Sequence, residues 1–216
     1  MTGDEGRDAG DDVPDGRRED GAGPAAAVTR VEDPAALSDG SDPPWSVVDT
    51  ETVWENPYFT AGYDVVEWPD GSTTRWYWVD PGDVVAVVAE FDDDVVLVDQ
   101  PDGRLGASLL TVPGGGVEDG ESFVAAGRRE LREETGFRAG DVELVTTYYP
   151  SAWLRMEQAV VHATDLEPGP ADRDAGEAMD VYTAPPDAAI DAAAGRSPAF
   201  GPGIGALLLA RRAGRI

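Results

Sequence analysis

Cysteine and lysine are both missing from the 216 residues, and histidine occurs once, at His162. Without cysteine there can be no disulfide, thiolate catalysis or cysteine-ligated zinc, and a lone imidazole excludes a histidine-rich metal centre. Any metal bound here must be held by oxygen. No apolar run approaches the roughly 18 residues of a spanning helix. The first residues are polar and acidic rather than a basic stretch leading into an apolar one. A soluble, cytoplasmic protein is the expectation. Positive charge is also scarce: 16 basic residues, all arginine, face 43 acids for a formal charge of -27. Such a surface repels phosphate backbones and anionic lipid, so neither nucleic acid nor membrane is expected as a partner. A phosphate-bearing substrate would need help from metal cations.

The acidity is spread along the chain. Residues 1–44 hold 12 acids and 4 arginines, and the remaining 172 hold 31 and 12. An acidic interaction tail on an ordinary domain and adaptation of the whole surface to concentrated salt are the two readings. The even spread and the missing lysine favour the second, a halophilic protein whose self-repulsion is screened when the Debye length shrinks to a few ångströms.

Residues 1–44 contain no aromatic residue and are rich in Asp, Gly, Pro and Ala. They cannot bury enough surface to offset ordering entropy and are expected to form a disordered acidic tail. From Trp45 the composition changes. Val47-Val48, Val53-Trp54, Tyr58-Phe59 and Val65-Val66 are broken by Asn56-Pro57 and Pro69-Asp70-Gly71, and Arg75 to Val79 follows. These predict short strands forming a small antiparallel sheet over 45–80. In the remainder, 81–216, Val84 to Ala89 and Val95 to Val98 flank Asp92-Asp93-Asp94 as a hairpin, and Leu109 to Val112 leads into Pro113-Gly114-Gly115-Gly116. A helix is predicted over 121–135, stopped by Gly136 as a left-handed cap. Strands at about 142–149, 157–163 and 179–183 and helices at about 186–194 and 203–213 complete an α+β sandwich. His162, between Val161 and Ala163, reads as a packing residue. Trp76 and Trp78 alternate with Tyr77, so both indoles share one strand face, in a core, in an interface or under a base.

The chemistry concentrates in PGGGVEDGESFVAAGRRELREETGF, residues 113–137. Glu130, Glu133 and Glu134 stand at i, i+3 and i+4, which puts three carboxylates in one quadrant of the helix. Either water screens such a cluster or a cation neutralises it. Gly115, Glu121, Arg129, Glu130, Leu131, Glu133, Glu134, Gly136 and Phe137 fill every fixed position of G-x5-E-x7-R-E-U-x-E-E-x-G-U. The segment resembles the signature of the Nudix hydrolases. Beyond it, Tyr148-Tyr149-Pro150-Ser151, Glu157 and Ala163-Thr164-Asp165-Leu166 look like the segment that follows the signature in ADP-ribose pyrophosphatases.

That resemblance implies a Nudix-type α/β/α sandwich of mixed sheets with a small N-terminal antiparallel sheet. It also implies hydrolysis of the diphosphate bond of a nucleoside diphosphate linked to another group, most simply ADP-ribose to AMP and ribose 5-phosphate. By the same resemblance the Gly114 carbonyl, Glu130, Glu133 and Glu134 bind Mg²⁺ or Mn²⁺, oxygen-ligated ions. Arg129 and Glu121 brace the loop, and Glu177, or alternatively Asp174, is the general base. Trp76 and Trp78 stack the base across a homodimer. Two departures bear on the substrate. Ala152-Trp153 follows Ser151 in place of Pro-Gly, and Pro101-Asp102 follows Gln100 where Tyr-Arg is usual. Arg104 or Arg155 could supply the missing cation. Another nucleoside diphosphate sugar or small diphosphate metabolite is the alternative substrate, and a nucleotide sensor without catalysis is the reading from another class.

Overall fold

The computed structural model describes residues 44–171 and 179–216. Its amino-terminal part is a three-stranded antiparallel sheet, β1 (Ser46–Asn56), β2 (Phe59–Glu67) and β3 (Thr73–Asp80), in the order β1-β2-β3. The breaks fall at the sequence-predicted turns. The strands are longer than the short apolar pairs suggested, because polar residues such as Asp49, Glu51 and Asp64 are carried through the ladder between them. Only one face of this sheet is partly covered, so alternating polar residues cost nothing on the other. Tyr63, Val66 and Trp78 are buried, while Val53, Trp54, Tyr58 and Tyr77 are exposed.

The larger sheet follows, with β4 (Val84–Phe91), β5 (Asp94–Asp102), β6 (Ala107–Thr111), β7 (Gly114–Gly116), β8 (Arg138–Tyr148), β9 (Gln158–Glu167) and β10 (Asp180–Ala184). Its order is β10-β5-β4-β9-β8, with β6 on β5 and β7 on β4. The β4/β9 pair is parallel and the rest antiparallel. Three helices, α1 (Phe123–Thr135), α2 (Pro186–Gly195) and α3 (Gly201–Arg212), cover it. Alternation along the central strand sorts the layers. Val85, Val87 and Ala89 pack with Ala126 and Leu131 of α1. Ala86 and Val88 pack with Ala189 of α2 and Leu207 of α3. Both faces of β4 are therefore apolar, as a sheet between helix layers requires.

One irregularity creates the site. The β4–β5 hairpin turns on Asp92 and Asp93, both at positive φ, which short polar side chains tolerate best after glycine. Yet the two strands pair only at Glu90↔Val95 and Phe91↔Asp94. Beyond that they diverge. β5 takes β6, and the first three residues of β4 take the glycine strand β7. That strand lies where the sequence showed only a run of three glycines.

The amino-terminal sheet joins the rest through backbone. Val79 N–H donates to Trp153 O at 3.0 Å, and Arg155 N–H donates to Val79 O at 2.8 Å. The Arg155 guanidinium lies 4.1 Å from the Trp78 ring centroid and forms an ion pair with Asp64. Among the described residues no helix is long and apolar enough to cross a membrane.

Candidate active site

Helix α1 supplies the carboxylates, and its ends are fixed by local chemistry. Ser122 caps it, its Oγ accepting the Ala125 N–H at 3.2 Å. Gly136 ends it at φ 82°, its N–H bonded to Arg132 O at 2.9 Å. This conformation favours glycine, and a Cβ here would also strike the backbone of Gly169 and Ala171. Between the caps, Ala126, Gly127 and Leu131 face the sheet. Gly127 lets the helix approach closely, since a Cβ would meet the Val161 side chain at 2.6 Å.

This seating aims the acids at the glycine strand. Glu134 is buried, and its Oε2 accepts the Gly114 N–H at 2.9 Å. The Glu130 carboxylate lies against Gly115, where a Cβ would stand 2.5 Å from Oε1 and 2.7 Å from Oε2. A side chain at 115 and a carboxylate at 130 cannot share that space. The glycines thus serve as a cradle for carboxylates as well as a strand on β4.

Arg129 organises the remainder. Its Nε and Nη2 donate to the two Glu121 oxygens at 3.2 and 3.0 Å, and Nη2 also donates to Gly116 O at 2.7 Å. Its Nη1 reaches Glu130 at 2.7 Å and Glu133 at 3.3 Å. Glu121 returns to the loop by accepting the Glu118 N–H at 3.2 Å. Hydrogen bonding from Arg129 holds the Glu121 carboxyl below its usual range, outweighing the opposing effect of burial. The same contact, with Glu130, pushes the guanidinium further up, so its charge is permanent. Arg132 also pairs with Glu133, at 2.7 Å.

The donor set on this face is oxygen throughout, which fits a hard divalent cation such as Mg²⁺ or Mn²⁺. The carboxylate cradle beside Gly115 fits it too. Among the described residues, however, no three acidic or imidazole groups already converge as a cage. Glu130 and Glu133 instead meet the nearest fixed cation, Arg129, because like charges at i and i+3 are relieved by a guanidinium between them.

A cleft of about 480 Å³ adjoins the glycine strand. Its walls come from separate places: Val84 to Ala86 of β4, Gln100 and Arg104 around β5, Thr111 to Gly116, Pro150, alternate residues Leu154, Met156 and Gln158, and Phe200, Pro202 and Gly203 at the start of α3. Gln100, Thr111, Gln158 and Phe200 were missed in the sequence. They have no motif spacing and meet only because β4 and β5 diverge. Arg104 lies on the cleft but is tied to Asp102 at 2.5 Å, its side chain 91% exposed. Arg155 is engaged by Asp64 and Trp78. Trp76 packs edge-on against Trp45 and Trp68, and Trp78 is buried over Gly62. Neither indole lines the cleft. Glu177 and Asp174, the alternatives for the base, lie outside the described residues. His162 is buried in β9, its Nε2 2.6 Å from Glu90 Oε2, away from the carboxylates of α1.

A NUDIX domain model matches residues 80–200. Similar curated proteins include a methanol dehydrogenase activator of Bacillus methanolicus, 30% identical over 105 residues, 48% of this chain and 57% of that protein. An ADP-ribose pyrophosphatase of Bacillus subtilis (strain 168) is 33% identical over 98 residues, 45% of this chain and 52% of that protein. The match thus spans little more than half of either relative. A CMP-5'-(N-acetyl-N-hydroxy-3-aminopropyl)phosphonate hydrolase of Streptomyces rubellomurinus (strain ATCC 31215) is 29% identical over 162 residues, 72% of this chain and 77% of that protein. Among solved structures, an ADP compounds hydrolase shares the fold with a TM-score of 0.69 at 23% identity, over 80% of this chain and 97% of that one.

Proposed function

Because the chain belongs to the NUDIX family, we propose that it hydrolyses the diphosphate bond of a nucleoside diphosphate joined to a second group, with ADP-ribose as the first substrate to test. The observation that carries this is the packing of Glu130 and Glu134 onto the Gly115 and Gly114 backbone, beside an open cleft.

Glu130, Glu133, Glu134 and the Gly114 carbonyl would hold the divalent cation. Bound there, it would offset the diphosphate charge and acidify the attacking water. The chain's own contributions are separable. Arg129 fixes the glycine strand through Gly116 O and neutralises Glu121, so the loop keeps its shape when the substrate arrives. Glu130 and Glu133, which now pair with Arg129, would turn their carboxylates to hold the ion. Glu177, or Asp174, takes the proton of the water, a role that rests on the resemblance to ADP-ribose pyrophosphatases. Products would be AMP and ribose 5-phosphate. A second copy of the chain belongs to this reading, since Val53, Trp54, Tyr58 and Tyr77 leave the small sheet with exposed apolar surface. The working environment in the same reading is a salt-rich cytoplasm.

The test is incubation with ADP-ribose and Mg²⁺ in molar KCl, with products identified by mass. AMP supports the substrate, and its absence, with cleavage of another nucleoside diphosphate sugar, moves the reading to that compound. Chelation with EDTA should stop turnover. Turnover that persists would overturn the metal dependence.

A further inference from the structure

We propose that the cleft beside the glycine strand receives the uncharged, hydroxylated sugar of the substrate, and that the buried carboxamide of Gln158 selects it. This rests on the hydrolase reading above and adds to it which end of the substrate enters and by what chemistry.

Gln158 opens β9 and is 3% exposed. It belongs to the sheet face covered by α3, since Val160, two residues on, lies in that core. Its Nε2 donates to Pro202 O at 3.4 Å. A carbonyl only accepts, so the nitrogen end of the carboxamide faces α3 and the oxygen end is left for another donor. Among the described residues no hydrogen bond to that oxygen is present, and Gln158 lines the cleft. A buried acceptor at a cavity wall discriminates strongly, because a ligand without a matching donor leaves it unsatisfied.

The charge of the walls narrows the class. Among the described residues Arg104 is the only cation lining the cleft, and Asp102 holds it through Nε and Nη2 at the solvent edge. The remaining polar side chains, those of Gln100, Thr111 and Gln158, are neutral. An anionic group resting on these side chains, away from the glycine strand, would lose its hydration without a charge partner, on a chain that is already strongly negative. A sugar is suited to the same walls: its hydroxyls donate to the carboxamide and its C–H faces pack against Leu154 and Met156. Among the described residues Phe200 is the single aromatic on the wall, so no paired rings stand there to sandwich a base.

The experiment compares the whole chain with Gln158→Leu in molar KCl, by steady-state hydrolysis of ADP-ribose with Mg²⁺ and by calorimetric affinity for ADP-ribose, UDP-glucose and UDP-glucuronate. For Gln158→Leu, KM and Kd for ADP-ribose should rise tenfold or more with a smaller change in kcat. The wild type should bind UDP-glucose at least tenfold more tightly than UDP-glucuronate. Equal ADP-ribose affinity in wild type and variant, or equal affinity for the two UDP sugars, overturns this assignment alone. Binding of ADP-ribose that responds to Gln158→Leu without any turnover overturns the hydrolase reading alone. If Gln158→Leu fails to fold, Gln158→Asn carries the same comparison, because it withdraws the carboxamide by one methylene and keeps its polarity.

Discussion

Glu134 Oε2 accepts the Gly114 N–H at 2.9 Å, joining the buried face of α1 to the first residue of the glycine strand. One carboxylate is thereby both a structural brace and a candidate metal ligand, and the two roles can be separated. A carboxamide can still accept the Gly114 N–H, but it carries no charge. Glu134→Gln should therefore melt within a few degrees of wild type while kcat for ADP-ribose hydrolysis falls about a hundredfold or more. A variant that binds and hydrolyses normally would remove Glu134 from the site.

Gly115 and Gly114 should respond differently to alanine. At 115 the added Cβ meets the end of a side chain, the Glu130 carboxylate, which can swing away at the expense of its position. Activity should drop by about tenfold or more with little change in melting temperature. At 114 the Cβ meets the backbone of Val85 and Ala86, which cannot yield without disturbing the β4/β7 ladder. Gly114→Ala should cost stability, on the order of 1–3 kcal/mol by chemical denaturation.

Arg155 should prove to be a strut. It sits over Trp78 and pairs with Asp64, whose carboxyl is raised by burial and more strongly lowered by hydrogen bonds from Arg155, Thr50 and Trp78. Arg155→Ala should destabilise the chain by about 1 kcal/mol and leave kcat unchanged. A fall in kcat/KM without loss of stability would instead place the guanidinium on the diphosphate.

The Glu121–Arg129 pair sets a pH dependence with a defined sign. The folded carboxyl is depressed below the unfolded value of 4.5, chiefly by hydrogen bonding from Arg129. Its contribution is therefore complete above that value and is lost as pH falls through the lower folded one. Melting temperature measured from pH 6 down to 3 at fixed salt should fall less steeply in Glu121→Gln. Identical slopes would show that other acids carry the acid sensitivity.

Salt should stabilise the whole chain. At a formal charge of -27, self-repulsion is long-ranged in dilute buffer and confined to about 3 Å near molar ionic strength. Melting temperature should climb between dilute buffer and molar KCl. A flat or falling response would count against adaptation to salt.

The sequence carried the helix and its end, because Gly136 acts locally and the i, i+3, i+4 spacing fixes a shared face whatever surrounds it; its start falls at Phe123, after the Ser122 cap, rather than at 121. It carried the turns at Asn56-Pro57, Asp70-Gly71 and Asp92-Asp93 for the same reason. The family signature is equally local, being one strand, one loop and one helix in sequence order. Strand lengths were less legible, since polar residues continue a ladder wherever one face meets water.

The grouping of the three carboxylates on one helix face was thus decided by sequence alone, through residue type and helical period. Which groups stand around them was decided only by tertiary structure. The divergence of β4 from β5 admits the glycine strand, opens the cleft, and brings Gln100 and Gln158 together across 58 residues of chain. Arg155 illustrates the same limit, for nothing in its neighbours forecasts Asp64 and Trp78 as partners. Non-local pairing depends on the summed packing of whole sheets, and no short window of sequence contains that sum.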